Sequence, residues 1–385
     1  MRVALIAPLI APIAPPYLGG AQVVVRDLAA GLAARGHVVS LYAADGSAVP
    51  GARTVPMDIN AGDLRTLYFH PEPPDALDDG AAARETADPA FLTQAQHFLR
   101  IALHIAAHAA EYDVVNAHAY DWPAFAFGAL LPLPVLQTLH NHASSRAVVG
   151  ALRTLARAGA PNTRLATVSH ACAASYARFA PVATVIYNGL DVAAIPFGAA
   201  PTTPRYLLYA GRIAPEKGVV DALEIARLSG RRLLLAGGVY DEAYFAGEVA
   251  PRLRALERKG LAEHLGPLPR ERVWELMVGA EAVLCPSEWD EPFGLAAAEA
   301  QAAGAPVVGY ARGALPEVVA DGVTGCLVTP GDRMAAAAAL ERVGAFARPA
   351  CRARIAERFS LAAMLDGYER VYKKMADAWR QEHHV

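Results

Sequence analysis

Two basic side chains in the second half of this chain have the types and the spacing needed to bind a phosphorylated ligand. Arg212 and Lys217 lie five residues apart in the segment GRIAPEKG, directly after a predicted strand over 206–210. Both cations could converge on one anion, Arg with a planar fork of donors and Lys with a compact charge. We predict that this pair binds a diphosphate without a metal ion, and the absence of a D-x-D metal signature is consistent with cations in that role.

A second phosphate-binding element is predicted within residues 285–304. An apolar strand is followed by a polar loop and then by a helix that begins at Phe293, with Pro292 at or just before the first turn. The unbonded amides of Phe293, Gly294 and Leu295 would point out of the carboxyl end of the strand, where anions dock in open α/β sheets. Gly294 has no side chain, so a phosphate could approach its backbone closely.

Two carboxylates flank these amides. Glu291 and Glu299 are eight residues apart, and Glu299 falls about two turns into the predicted helix. Glu299 could accept both hydroxyls of a ribose, while Glu291 would face whatever lies beyond the phosphates. The alternative is that both carboxylates only complement the helix dipole and the protein surface.

Length and composition indicate a globular protein of two domains. The chain has 385 residues, of which 54% are hydrophobic and 19% are charged, and its formal net charge is −3. Each half is long enough to bury its own core. No basic domain emerges, which argues against nucleic acid as the main partner.

Cysteine usage and two uncharged segments indicate the cellular location of the protein. The four cysteines form no C-x-x-C pair, so we expect thiols in a reducing cytoplasm rather than a disulfide framework. The run 3–25 holds four prolines and the pair Gly19-Gly20, and the run 122–145 holds three prolines and two histidines. These compositions argue against a signal peptide and against a membrane span. The expected location is the cytoplasm.

Strand and helix patterns alternate in both halves of the chain. Residues 2–43 read as strand, glycine turn, helix and strand, which is a βαβ unit, and the alternation restarts at 206–210. We therefore predict an α/β protein with two Rossmann-like, doubly wound parallel-sheet domains. Gly19 and Gly20 open the first helix, but the preceding loop is too long and no G-x-G-x-x-G is present, so NAD binding is not expected.

Two histidines occupy equivalent positions in the first half. His118 and His140 each follow the carboxyl end of a predicted strand, which is the functional edge of a parallel sheet. A histidine in a loop is usually only a polar surface residue. Two at equivalent edge positions favour a site.

Two motifs resemble the donor site of the family-4 glycosyltransferases, which are retaining enzymes with the GT-B fold, and a third resembles the interdomain boundary of that family. They are E-P-F-G-L-x-x-x-E from Glu291 to Glu299, G-R-x(4)-K-G from Gly211 to Gly218, and N-G-L-D from Asn188 to Asp191. Tyr187 stands where the family more often has proline. The Asn188-Gly189 pair is also a turn signal in its own right, so it could be a hinge and nothing more.

This resemblance covers most of residues 1–375 and implies a domain organisation. It implies an acceptor domain over 1–188, a nucleotide-sugar donor domain over 189–360, and a C-terminal helix over 361–385 that packs back on the first domain. From periodicity alone, the terminal segment is simply an amphipathic helix.

The resemblance also implies an activity. A sugar would move from a nucleoside diphosphate sugar, with UDP or GDP favoured, to an acceptor hydroxyl with retained configuration and without metal or cofactor. The implied catalytic residues are His140, Glu291, Arg212 and Lys217. The implied donor-binding residues are Gly19, Gly20, Asn188, Arg212, Lys217, Glu291, Pro292, Phe293, Gly294, Leu295 and Glu299. His118 is a further candidate for contact with the sugar or the acceptor.

Other activities stay open at this point. A nucleotide-sugar epimerase could share the fold and the phosphate site, and only acceptor-dependent release of the nucleoside diphosphate would separate the two. A pyridoxal phosphate-dependent phosphorylase would need a Schiff-base lysine, and a sugar-binding module would have no need of Arg212 or Lys217. No motif specifies the base, sugar, acceptor or oligomeric state, and acceptor contacts are expected in the least patterned segment, 44–95.

Overall fold

A computed structural model describes residues 1–17, 19–67 and 89–383 and divides the chain into two compact units. Unit 1 comprises residues 1–187 and 361–385, and unit 2 comprises residues 188–360. Residues 68–88, within the segment expected to contact the acceptor, lie outside the described residues. Among the residues that are described, every helix is too short or too polar to span a lipid bilayer.

Unit 1 alternates strands and helices along the chain. Its strands are β1 (Arg2–Ile6), β2 (Val38–Tyr42), β3 (Arg53–Thr54), β4 (Val114–Ala117), β5 (Val135–Leu139), β6 (Thr163–Thr167) and β7 (Thr184–Val185). Its helices are α1 (Gly20–Ala34), α2 (Pro89–Ala107), α3 (Trp122–Gly128), α4 (Arg146–Ala158), α5 (His170–Tyr176) and the C-terminal helix (Leu361–His383). Short 3-10 helices span Ala61–Leu67 and Ala109–Glu111.

The strands of unit 1 form one parallel sheet in the order β3-β2-β1-β4-β5-β6-β7. Strands β4 and β5 are buried along their whole length, which explains their continuous apolar character. The C-terminal helix approaches α1 closely at Gly31, where an added Cβ would lie 2.7 Å from a Leu365 methyl group. At the same contact, Arg35 forms an ion pair with Glu369, and Nε2 of His37 lies 2.8 Å from the other oxygen of that carboxylate.

Unit 2 repeats the alternation. Its strands are β8 (Leu207–Ala210), β9 (Leu233–Ala236), β10 (Ala262–Gly266), β11 (Ala282–Cys285), β12 (Val307–Tyr310) and β13 (Gly325–Val328). Its helices are α6 (Val219–Ser229), α7 (Glu242–Tyr244), α8 (Ala250–Glu257), α9 (Arg270–Gly279), α10 (Leu295–Ala302), α11 (Leu315–Val318), α12 (Arg333–Ala339) and α13 (Arg348–Arg358). A π-helical turn over Phe245–Val249 joins α7 to α8, and 3-10 helices span Pro215–Lys217 and Leu340–Ala345.

The sheet of unit 2 is also parallel, in the order β10-β9-β8-β11-β12-β13. In both units the strand order reverses beside the first strand, between β1 and β4 and between β8 and β11. Ligands of doubly wound sheets bind beyond the carboxyl ends of the strands at this reversal. The prediction of two Rossmann-like parallel sheets is confirmed.

Candidate functional site

The predicted donor-binding residues of unit 2 follow two neighbouring strands. Arg212 and Lys217 lie in the loop after β8, and Glu291 lies in the loop after β11, which pairs with β8. Because β8 and β11 are parallel, both loops leave the same edge of the sheet. The reversal of strand order therefore brings together residues that are 74 positions apart in sequence.

Lys217 and Glu291 form an ion pair. The ammonium Nζ of Lys217 donates to Oε1 of Glu291 at 2.7 Å, and each side chain is only 17% exposed. Ser287 donates to the same oxygen through Oγ at 2.8 Å. The ammonium also lies 4.7 Å from the ring centroid of Trp289, within the range of a cation–π contact. One carboxylate oxygen thus anchors the cation predicted to bind phosphate.

These contacts control the ionisation of Glu291. Burial acts to raise the pKa of this carboxyl, but the charge and hydrogen bond of Lys217, with hydrogen bonds from Ser287 and Trp289, hold the pKa below its usual value. Glu291 is therefore a carboxylate at neutral pH and can accept hydrogen bonds from a sugar.

Arg212 is the second cation at this edge. Its Nη2 lies 3.3 Å from Oε1 of Glu216, and its guanidinium carbon lies 5.2 Å from the ring centroid of Tyr240. Its backbone carbonyl accepts a hydrogen bond from the hydroxyl of Tyr209 at 2.8 Å. The loop is thus tied to the strand below it, and convergence of Arg212 and Lys217 on one diphosphate stays a prediction.

Gly218 lets the two loops touch. Its φ is +68°, and an added Cβ would lie 1.8 Å from the carbonyl oxygen of Pro286. The residue directly after Lys217 therefore packs backbone to backbone against the loop that carries Ser287 and Glu291. This contact sets the distance across which the Lys217–Glu291 pair forms.

Replacing Gly218 with alanine is expected to destabilise unit 2 by about 2–5 kcal/mol, because the left-handed backbone and the collision with a carbonyl add. Gly230→Ala is a matched control, since Gly230 has a φ of +65° but nothing within 4 Å of an added Cβ. We expect it to cost about 1–2 kcal/mol. Urea unfolding of the two variants measures the difference, and equal losses would contradict the loop contact.

The helix after β11 begins later than predicted. Helix α10 starts at Leu295 and not at Phe293, because Gly294 adopts a left-handed conformation (φ 92°, ψ 57°) at its N-cap. Phe293 is 2% exposed and packs edge-on against Phe359, at 5.5 Å between ring centroids. Of the three predicted amide donors, only that of Leu295 lies in the first turn of the helix, while Pro292 and Phe293 are buried.

Glu299 has a partner that the sequence interpretation did not include. Nε and Nη2 of Arg270 contact its Oε1 at 2.7 and 2.6 Å, and the Arg270 guanidinium lies 4.7 Å from the ring centroid of Trp274. Glu299 is 12% exposed. Its role in binding ribose hydroxyls stays a prediction.

Asn188 is buried at the start of unit 2. The side chain is 5% exposed, and its Oδ1 accepts no hydrogen bond from the described residues. A buried acceptor without a donor is uncommon in proteins. The unsatisfied Oδ1 does not support the alternative in which Asn188 serves only as a turn. That Asn188 contacts a ligand stays a prediction.

In unit 1, the two predicted histidines are in direct contact. Nδ1 of His118 lies 2.8 Å from Nε2 of His140, and both side chains are buried. They follow β4 and β5, which are neighbours in the sheet. Burial lowers the pKa of His140 to about 4, and burial together with the neighbouring His140 lowers that of His118 well below its usual value. Both rings are neutral at neutral pH, so one donates and the other accepts.

Gly19 and Gly20 stand at the start of α1, after β1. Gly19 is the N-cap with an extended backbone (φ −160°), and its amide donates to Oε1 of Gln22 at 3.1 Å. An added Cβ at Gly19 would meet none of the described atoms within 4 Å. Neither packing nor backbone conformation among the described residues therefore explains a glycine at this position.

Two family models match consecutive parts of the chain. The model described as Glycosyltransferase Family 4 matches residues 18–194, and the model described as Glycosyl transferases group 1 matches residues 194–347. The chain belongs to the family-4 glycosyltransferases. The resemblance drawn from the motifs is confirmed.

Sequence relatives of this glycosyltransferase include a glycogen synthase of Mycobacterium tuberculosis, 35% identical over 254 residues, or 60% of each chain. A D-inositol 3-phosphate glycosyltransferase of Mycolicibacterium smegmatis is 39% identical over 142 residues, which is 36% of this chain and 32% of that relative. The chain thus matches less than two thirds of the length of each of these relatives.

Solved structures show the same fold over nearly the whole glycosyltransferase. Sucrose-phosphate synthase from Thermosynechococcus elongatus has a TM-score of 0.75 at 22% identity and covers 98% of this chain and 99% of its own. Anabaena HepE, crystallised in complex with UDP, has a TM-score of 0.69 at 20% identity and covers 97% of this chain and 100% of its own. The predicted GT-B fold is confirmed.

Sequence reasoning missed three side chains of the glycosyltransferase that hold the predicted site residues. Ser287 and Trp289 support the Lys217–Glu291 pair, and Arg270 holds Glu299. Ser287 and Trp289 lie in the loop that carries the donor motif, so their place in the sequence could have identified them as neighbours of Glu291. Arg270 is 29 residues from its partner and has no such signal.

Ser287→Ala should raise the pKa of Glu291, because it removes one of the hydrogen bonds that favour the carboxylate. The acid limb of the pH profile of kcat/KM is then expected to move to higher pH, with kcat/KM at neutral pH about fivefold lower. Ser229→Ala is the control, since Ser229 only bonds backbone carbonyls within α6. An unshifted acid limb in Ser287→Ala would contradict this role.

Proposed function

We propose that this enzyme transfers a sugar from a nucleoside diphosphate sugar to an acceptor hydroxyl, with retained anomeric configuration and without a metal ion. The observation that carries the proposal is the Lys217–Glu291 pair at the carboxyl edge of β8 and β11. A cation for the diphosphate and a carboxylate for the sugar are held side by side there, in a motif of the family.

The first chemical task is to stabilise the departing diphosphate. As the bond between the anomeric carbon and the phosphate oxygen breaks, negative charge grows on the diphosphate. Lys217, Arg212 and the first-turn amides of α10 are donors suited to that charge. Interactions that strengthen as the charge develops raise the rate more than they raise ground-state affinity.

The second task is to position the sugar and the acceptor. We assign Glu291 to hydroxyls of the sugar, because its lowered pKa keeps it an acceptor of hydrogen bonds. His140 is assigned as a neutral hydrogen-bonding group, since a pKa of about 4 makes it a poor base at neutral pH. The acceptor oxygen then bonds to the anomeric carbon on the face that the phosphate leaves, and its proton passes to the departing phosphate oxygen.

UDP is the first nucleotide to test, because the structural neighbour HepE was crystallised with it. Titration calorimetry with UDP, GDP and ADP should show binding of at least one to the wild-type chain and much weaker binding to Lys217→Ala. No heat with any of the three would sink the proposal.

Transfer and epimerisation are separated by the products. We expect UDP or GDP to be released only when an acceptor hydroxyl is supplied, in the presence of EDTA, and proton NMR of the product to show the anomeric configuration of the donor. Release without acceptor, an inverted product or loss of activity in EDTA would each remove the corresponding part of the proposal.

A further inference from the structure

A cavity of about 360 Å³ lies in unit 1 between the C-terminal helix and the sheet. Pro134 precedes β5 and Asn162 precedes β6, so the cavity lies at the amino ends of these strands, beside edge strand β7. His118 and His140 follow the carboxyl ends of β4 and β5. The cavity is therefore at the amino ends of the strands, whereas the candidate site residues of unit 1 are at the carboxyl ends.

The C-terminal helix forms one side of this cavity. At Gly367 the helix is close to the end of β7, because an added Cβ would lie 3.0 Å from Cγ2 of Ile186. Further along the helix, one face lines the cavity at helical spacing, through Arg370, Val371, Lys374, Met375, Ala378 and Trp379. Ala378 has the smallest side chain of these six residues and is exposed on this face.

The residues that line the cavity form an apolar wall and a positively charged wall. Ile186, Val371, Met375 and Trp379 form the apolar part. Three lining side chains are cations, Arg164, Arg370 and Lys374, against a single carboxylate, that of Glu382. An amphipathic helix usually buries its apolar stripe against protein, but here part of the stripe faces a cavity with an excess of positive charge.

One of the three cations is fixed in place. Nη1 of Arg164 donates to the carbonyl oxygens of Pro161 and Thr163 at 2.9 and 3.0 Å. Asn162, which also lines the cavity, is buried and donates through Nδ2 to the carbonyl of Leu131 at 2.9 Å. These hydrogen bonds connect the wall on the sheet side to the neighbouring main chain.

We propose that this cavity binds a small amphiphilic acid, with an apolar body of two or three rings and one acidic group. The volume is within the range of small-molecule sites. The apolar body would lie against Val371, Met375 and Trp379, and the acidic group would face Arg164, Arg370 and Lys374. The same helix carries Tyr368, whose ring centroid is 5.8 Å from that of His118, so a bound ligand would stabilise the helix that packs against the histidine pair.

The probe for this site is 8-anilinonaphthalene-1-sulfonate, an aromatic acid of this type whose fluorescence rises in apolar surroundings. Lys374→Glu is expected to weaken its binding to the full chain at least about tenfold, because a charge-assisted contact is replaced by repulsion. Lys373→Glu is the matched control, since Lys373 is exposed on the same helix but does not line the cavity. Its binding should stay within about twofold of wild type.

A second variant tests the cavity itself. Ala378→Phe should fill the space and abolish binding of the probe, while circular dichroism shows the wild-type helix content. N-phenyl-1-naphthylamine, the uncharged analogue, should bind Lys374→Glu and wild type equally. Equal binding of the sulfonate to wild type, Lys374→Glu and Ala378→Phe would overturn the proposal. These measurements need no sugar donor, so they are independent of the proposed function.

Discussion

Lys217→Ala is expected to lower kcat by about 100-fold or more, because a well-placed donor to a developing charge contributes about 2.7–4 kcal/mol. The loss should appear mainly in kcat, since the diphosphate gains charge only as it departs. The variant also removes the counter-ion that lowers the pKa of Glu291. The acid limb of its pH profile is therefore expected to move to higher pH as well.

Single-turnover rates at saturating donor, with and without Lys217, measure this effect. Lys259→Ala is the control, since Lys259 is an exposed lysine of unit 2 outside the site. Lys217→Arg keeps the charge but changes the donor geometry, so its activity should lie between wild type and Lys217→Ala. A Lys217→Ala variant within about threefold of wild type would remove Lys217 from the reaction.

Glu291→Gln is expected to reduce turnover by about two orders of magnitude, because the sugar loses its charged acceptor and Lys217 loses its partner. Glutamine keeps the shape of the side chain, so a loss of activity reports on the charge. The variant should also unfold at a lower temperature, since a mostly buried ammonium is left without a carboxylate.

Asp290→Asn is the matched control for Glu291→Gln. Asp290 is the neighbouring carboxylate, and its ion pair with Arg312 is exposed, so little stability or activity should depend on it. A double-mutant cycle between Lys217→Ala and Glu291→Gln gives the coupling of the pair. Additive effects on kcat would show that the two residues act independently, contrary to the coupling expected from their ion pair.

The architecture was largely predictable, because alternating strand and helix patterns with glycine turns restrict the chain to a doubly wound sheet. The predicted start of α10 was wrong by two residues. A helical sequence pattern does not show that Gly294 adopts a left-handed conformation at the end of the loop. The residue before it, Phe293, packs against Phe359, and a contact so distant along the chain is not visible in a local pattern.

The site was predictable only where its residues share one loop. The sequence shows that Lys217 and Glu291 each follow a predicted strand. Their 2.7 Å contact, however, depends on the strand order of the folded sheet. The 2.8 Å contact of His118 with His140 has the same origin, since it requires β4 and β5 to be neighbours. Periodicity within a segment carries no information on such pairings.

The close backbone contact at Gly218 limits how the ligand preference of this site can change, whether in nature or in the laboratory. A second contact of this kind occurs at Gly313, where an added Cβ would lie 2.4 Å from the amide nitrogen of Glu291. Neither glycine can gain a side chain without moving the loops apart. Substitutions that change the preferred ligand are therefore expected at flanking positions such as Tyr240, whose ring can vary while the main chain that carries Lys217 and Glu291 stays in place.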